Sequence, residues 1–187
     1  QGEGAGRTFS RSLPGEFPDR LIAVRRASAY DRAMAKHQHR EHRGDQLVLA
    51  ARRVLTAAGE KWTALRADVF DVLAGQDRPL SAYDIADSLS ARSGRRIAPN
   101  SIYRILDLFV RANLANRIES ANAYLANSHP GCHHDCIFLI CDRCGHAVHL
   151  DDDRLTDALR DAGRAAGFGE VRPVIELRGR CESCSGA

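Results

Sequence analysis

The chain has 187 residues, 44% of them hydrophobic and 27% charged, with a formal net charge of +3, enough to bury one ordinary core or two small ones. No window is apolar for the length of a membrane span, all six cysteines lie after residue 131, and no basic, apolar and cleavage regions follow one another as in a signal peptide. These features argue against a membrane protein and a secreted disulfide scaffold, and for a soluble protein of a reducing cytoplasm.

The charge is divided along the chain. Residues 46–127 carry 11 Lys and Arg against 8 Asp and Glu, residues 128–187 carry 7 against 10, and Arg92–Arg117 holds six arginines against the single acid Asp107. Such a basic segment suits a polyanion or, more plainly, a solvated helix face.

Residues 1–45 are rich in Gly, Arg, Ser and His, with only the run LIAV suggesting order, and are expected to form a mobile arm. The sole methionine, Met34, marks a candidate natural start inside it; His37, His39 and His42 read as a solvated tail rather than a metal site.

Helices follow. From Gln46 to Ala58 the residues Leu47, Val48, Ala51, Val54 and Leu55 recur at helical spacing, and Gly59 stands at a left-handed cap. TALRADVFDVLAG reads as a second helix with Thr63 as N-cap and Leu65, Val69, Val72 and Leu73 inward. SAYD at Ser81 resembles a capping box and opens a third, ending near Arg92. In APNSIYRILDLFVRANL the residues Ile102, Ile105, Leu106, Phe109, Val110 and Leu114 make one buried stripe, leaving a polar, aromatic and basic face. Two β-prone runs, ANRIES and NAYLAN, are joined through Ser120 and Ala121 at hairpin distance.

Helices followed by such a ribbon make a winged helix-turn-helix over 46–127. This module sets the N-terminal end of its last helix in the major groove of double-stranded DNA, where Arg reads guanine edges and an aromatic ring meets thymine methyls. Ser101, Tyr103 and Arg104 occupy that position, with Tyr103 and Arg104 as base readers; Arg66, Arg95, Arg96 and Arg117 suit phosphates, which position without specifying. In the competing interpretation Tyr103 packs at a domain edge and the arginines only solubilise.

The pattern changes after His129. CIFLIC reads as a buried strand and HAVHL as another; a helix runs from Asp152 to Ala166 with Leu155, Leu159, Ala162 and Ala166 inward, and three consecutive aspartates favour its start. VRPVIELR alternates as a half-buried strand in which Pro173 argues for an edge. Residues 128–187 thus make a small α/β domain, whose short hydrophobic sheet would pair with a second copy across a twofold axis. The whole is an α+β protein.

Cys141 and Cys144 form one CxxC knuckle and Cys181 and Cys184 another, the arrangement in which two thiolate pairs hold tetrahedral zinc. Such a site staples the first strand of the domain to its last residues and contributes to folding. A redox dithiol sets a single CxxC at a helix start, which two pairs fit poorly. Cys132, Cys136, His129, His133, His134, His146 and His149 remain. Alternate strand residues share a face, so His134 and Cys136 point together, with His149 on the neighbouring strand; with Cys132 they are the candidate ligands of a sensory zinc site, and His129, His133 and His146 are further candidates. A metal beside the domain junction holds the domains at one angle, whereas one in the staple does not. The bland alternative is surface decoration.

With these residues assembled, the chain resembles the ferric uptake regulator family, and most of all its zinc uptake regulator branch, over roughly Gln46–Cys184. The resemblance rests on SAYDIADSL, NSIYRILDLFVRANLANRIESANAYL, FLICDRCG and GF followed by VIELRGRCESC. It implies a dimeric, metal-activated repressor whose winged helices bind a palindromic operator upstream of zinc-uptake genes. It matches Cys141, Cys144, Cys181 and Cys184 to a structural zinc site and His134 to a sensory ligand. Asn116 and Asn127 stand where relatives of that branch carry a histidine and a cysteine, and His149 where a glutamate is usual; HHDCIFLIC departs from the HHDH-type run, and Cys132 and His129 are candidates to replace the missing ligands. TALR replaces the family's Thr-Pro-Gln-Arg and keeps Arg66.

The expected function is therefore a zinc-responsive repressor with no small-molecule substrate and no membrane partner. An iron, manganese or peroxide sensor of the same family would present more oxygen ligands and no sensory thiol, and Cys136 stands against it. A zinc-dependent hydrolase or deaminase needs an open coordination position beside a Glu or Asp. Asp135 is the only acid in the cluster's strand and no HxE motif partnered by PCxxC occurs, so no enzyme is expected.

Overall fold

A computed structural model describes residues 42–130 and 135–186. By contact the chain divides into Gln1–Ala33 and Met34–Ala187, and every described residue lies in the second unit. The expected arm up to residue 41 and Cys132, His133 and His134 lie outside the described residues. Where the description begins, the His42 N–H donates to the Ser128 carbonyl at 3.0 Å.

The first four helices start and stop where local chemistry directs. Helix α1 spans Asp45–Ala57, and Gly59, at φ +79°, turns the chain out of it. Helix α2 spans Ala64–Ala74, with Thr63 Oγ1 accepting from the Arg66 N–H. Helix α3 spans Ala82–Ser93 behind a full capping box: Ser81 Oγ accepts from the Asp84 N–H at 3.1 Å, and Asp84 Oδ2 from the Ser81 N–H at 2.9 Å. Helix α4 spans Pro99–Arg111 with proline in its first turn, where no intrahelical N–H bond is lost.

Their apolar faces meet in one core around Leu55, Phe70, Leu73, Ile85, Ile102, Leu106 and Phe109, all essentially buried. Phe70 and Phe109 meet edge to face with centroids 5.7 Å apart, and Trp62 stacks on Phe109 at 6.3 Å. The α4 stripe departs from expectation at one position: Val110 is exposed and Leu108 is buried. The two stand on opposite flanks of the stripe, and the fold covers only the Leu108 flank.

Strands β1 (Ala115–Ile118) and β2 (Ala123–Ala126) pair antiparallel as the wing, Ile118 opposite Ala123. Their connection is longer than the expected Ser120–Ala121 turn. It is a 3-10 turn, Glu119–Ala121, closed by Asn122 at φ +46°, a conformation asparagine tolerates. Leu80, just before α3, exchanges backbone hydrogen bonds of 2.9 and 2.8 Å with Tyr124 and ties the wing to the helices.

Beyond the wing, β3 (Ile137–Cys141), β4 (Ala147–Leu150) and β5 (Ile175–Gly179) form a sheet of order β4-β3-β5, antiparallel between β3 and β4 and parallel between β3 and β5. The parallel pairing needs a crossover, supplied by helix α5, Asp153–Ala165, capped by Asp152 accepting from the Arg154 and Leu155 N–H groups. A last turn, α6, covers Glu182–Ser185. Two expectations change here. β5 begins at Ile175, leaving Val171 and Pro173 outside it, although it is an edge strand as expected. Leu155, Leu159, Ala162 and Ala166, expected inward, are exposed, and Thr156 is the buried residue of α5. The described residues do not cover that apolar face. The sheet has two unlike faces: Ile118 and Leu125 of the wing pack with Phe138 and Ile140, while the row Val148–Leu139–Leu177 is exposed at 47%, 38% and 50%. No helix among the described residues is long and apolar enough to cross a membrane.

Because Phe109 contacts the rings of both Phe70 and Trp62 in the helical core, Phe109→Ala should lower stability by about 3–5 kcal/mol. Urea unfolding followed by the fluorescence of Trp62, the only tryptophan, measures it; a loss below about 1 kcal/mol would contradict the packing.

Candidate metal centres and nucleic-acid interface

The sheet delivers the four knuckle cysteines to one point. Cys141 ends β3, a turn through Gly145 (φ +74°) brings Cys144 back over it, and β5 carries the chain on to Cys181 and Cys184. The Asp142 N–H donates to the Gly179 carbonyl at 2.8 Å, and Arg178 reaches Asp142, so the two knuckles are pinned side by side. All four Sγ atoms lie within 4.8 Å of one another, with Cys144 and Cys181 at 3.7 Å. A zinc tetrahedron with bonds of about 2.3 Å has edges of about 3.8 Å, so the donor set fits that ion.

The electrostatics agree. The Cys181 N–H, at 3.4 Å from the Cys141 sulfur, with the Cys144 and Arg143 amides, lowers the Cys141 thiol to about 6. Crowding by the Cys181 and Cys144 sulfurs pushes Cys184 up to about 12. Four thiolates this close repel one another unless a cation sits among them.

A second group of possible ligands lies where the wing leaves the helices and meets β4: atoms of His129, His149 and Asp151 all fall within 4.8 Å of one another. Each arrives by a different route. His129, three residues past β2, is 4% exposed. Asn127 holds it, accepting from the His129 N–H at 2.9 Å while donating to the Asn113 carbonyl at 2.9 Å. Ser128 Oγ lies 3.2 Å from His129 Nδ1. His149, on β4, has its ring 5.5 Å from both Phe138 and His129, and its Nε2 lies 3.1 Å from Asp151 Oδ1. Two imidazoles and a carboxylate are donors for a borderline divalent metal such as zinc.

The structure thus brings together two of the expected residues, His129 and His149, and adds Asp151. Asp151 was one of three aspartates attributed to the helix start; its place two residues after His149, on the same side of an extended strand, was the available signal. Among the described residues Cys136 lies outside this group and packs against the contact between wing and sheet. His146 also lies apart, its Nδ1 3.4 Å from Asp77. Asn127, at the position of a ligand in the branch the chain resembles, here positions backbone instead.

On the helical side, Ser101 and Arg104 are exposed on α4, and Arg95 and Arg96 are exposed just before it. Tyr103 is half-buried against Tyr83, edge to face at 6.2 Å. Arg117 projects from the wing beside Glu119 at 3.2 Å. Arg66 is engaged within the fold, 3.0 Å from Glu60 and on the Lys61 carbonyl.

A sequence profile of the Ferric uptake regulator family matches residues 57–177. The chain belongs to that family. The Zinc uptake regulation protein of Escherichia coli (strain K12) is 28% identical over 145 residues, which span 74% of this chain and 81% of that protein. The crystal structure of holo XcZur superposes with a TM-score of 0.69 at 32% identity, covering 77% of this chain and all of that one. A zinc uptake regulator complexed with zinc and DNA superposes with a TM-score of 0.67 at 27% identity, covering 75% of this chain and 93% of that one.

Removing one thiolate from a closed four-sulfur group should release its metal and unfold the C-terminal sheet, because metal binding there is also folding energy. Cys184→Ser is therefore expected to lose one metal per subunit by elemental analysis and to sediment as a smaller species. A variant with full metal content contradicts the assignment.

Proposed function

We propose that this protein is a zinc-responsive transcriptional repressor, a homodimer that binds palindromic double-stranded DNA upstream of zinc-uptake genes in the cytoplasm. Residues 46–127 serve as the DNA-binding domain and 128–187 as the metal-binding dimerisation domain. Cys141, Cys144, Cys181 and Cys184 hold structural zinc. The sensory zinc is held by His129, His149 and Asp151, with His134 and Cys132 as the candidates for completing its coordination. The observation that carries this reading is the position of that group: His129 follows the wing and His149 lies on the sheet beneath it. A metal bound there favours one placement of the wing, and with it of α4. A dimer must set its two recognition helices about one DNA turn apart, or a multiple of that, so one placement fits the operator and others do not. By linkage the operator then tightens zinc to the same degree.

The exposed row Val148–Leu139–Leu177, with Leu155, Leu159 and Phe168, is the face we assign to the second subunit. Arg104 and Tyr103 read bases, while Arg95, Arg96 and Arg117 contact phosphates; Arg66 supports its own helix start.

A second reading draws support from Asp151. Two histidines with one carboxylate are also a donor set of ferrous iron, so an iron- or manganese-sensing regulator of the same family is the alternative. Metal titrations separate them, since only the zinc reading expects operator binding at zinc concentrations where ferrous and manganous ions have no effect.

His129→Ala combined with His149→Ala should leave a folded dimer that keeps the cysteine-bound zinc and no longer gains operator affinity when zinc is added. Cys136→Ser should respond as the parent does. The reverse pattern would return Cys136 to the sensory site and remove His129. At the DNA, Arg104→Ala should relax discrimination at one base pair per half-site by about 1–3 kcal/mol. Arg96→Ala should weaken all sequences alike and reduce the salt slope by about 1. Competition binding at several salt concentrations distinguishes the two.

A further inference from the structure

The row of the sheet that carries His149 continues across all three strands. Phe138 pairs with His149 on one side and with Glu176 on the other, and residues directly opposite in a sheet project to the same face. The two edges of that row stand about 10 Å apart. At the β4 edge His149 meets His129 and Asp151. At the centre Phe138 packs with Ile118 and Leu125 of the wing. At the β5 edge Glu176 reaches the turn at the wing's tip, where its Oε1 accepts from the Glu119 N–H at 2.6 Å and its Oε2 from the Ser120 N–H at 3.1 Å.

One carboxylate thus takes the first two N–H groups of the 3-10 turn, partners the turn itself does not supply. Such bonds are charge-assisted and roughly twice as strong as neutral ones. Burial pushes the Glu176 carboxyl up, but the Ser120 hydroxyl and the Ser120 and Glu119 N–H groups outweigh it, leaving the group below the usual carboxylate range and ionised at neutral pH. The apolar contact in the middle has no direction of its own and permits sliding. Between wing and sheet the directional attachments are the Glu176 bonds at one end and, when a metal binds, its ligands at the other.

We propose that Glu176 is a positioning residue for the metal response, a latch that holds the wing tip on β5 so that metal bound at the opposite end of the row moves wing and recognition helix as one body. This rests on His129, His149 and Asp151 being the sensory site. A wing fastened only beside the metal pivots about it; a wing fastened at both ends has one angle. The latch therefore sets how much of the metal's binding energy reaches the operator, without touching metal or DNA.

The test uses the full chain as a zinc-loaded dimer, with Glu176→Ala and Glu176→Gln. Both variants should keep the parent's zinc per subunit and its sedimentation. In Glu176→Ala the Glu119 and Ser120 amides should lose hydrogen-exchange protection, and the ratio of operator affinities with and without zinc should fall about tenfold, within the usual range of coupling between sites. Glu176→Gln keeps the shape and loses the charge, and should fall between. Merely weakened folding would lower the melting temperature without changing that ratio. A Glu176→Ala dimer with the parent's ratio overturns the latch; if that variant does not fold, an unchanged ratio in Glu176→Gln overturns it equally. A parent that shows no zinc-dependent gain overturns the sensory reading and the latch together, whereas a responsive parent with an equally responsive variant overturns the latch alone.

Discussion

Two short antiparallel strands lie against a three-stranded sheet, held there by Ile118 and Leu125 on one side and Phe138 and Ile140 on the other, and the meeting of His129 with His149 and of Glu176 with the wing tip depends on that contact. A lone two-stranded ribbon is marginal in water, so the wing needs a surface to lean on. Once the two are pressed together, the segment after β2 must pass the end of β4, which brings His129 to His149, and the turn after β1 must pass β5, which brings Glu119 and Ser120 to Glu176.

The knuckle is less isolated than the position of its cysteines implies. The Ala147 N–H, three residues past Cys144, donates to the Asp77 carbonyl at 3.1 Å, and His146 Nδ1 lies 3.4 Å from the Asp77 carboxylate. Asp77 lies between α2 and α3. The four-cysteine site thus orders the turn that touches the helical core from the side opposite Glu176. The expectation that a metal in the staple has no bearing on the angle between helices and sheet took no account of this contact, which joins the knuckle turn to the loop between α2 and α3.

What the sequence made legible was what depends on near neighbours. Thr63 and Ser81 cap helices because a hydroxyl three residues from an N–H is a local fact, and Gly59 ends one because its backbone has the freedom to do so. The CxxC pairs announce a four-sulfur site because that spacing places two thiolates on one turn. The direction of α5 was not legible. Amphipathic spacing shows that Leu155 and Leu159 share a face, and a monomer is assumed to cover it; among the described residues nothing does. Nor was the part played by Asp151, since its approach to His129 depends on the wing being docked, and next to Asp152, which does cap α5, it reads as one more helix-start acid.

The departures from the family's usual ligands become intelligible on the same terms. At Asn127 an amide replaces a soft donor inside a buried corner, where its oxygen holds the His129 N–H and its nitrogen the Asn113 carbonyl. A buried amide without partners is unfavourable by several kcal/mol, so the corner is built around these bonds rather than around a metal. Its effect is to fix His129, two residues on, as the side chain that faces His149. In the sensory reading proposed above, the donor shifts along the chain to His129, between the end of the wing and β4. Coupling requires a ligand on each of two elements, and in that reading His129, after the wing, and His149, on β4, would meet the requirement from different positions in the sequence.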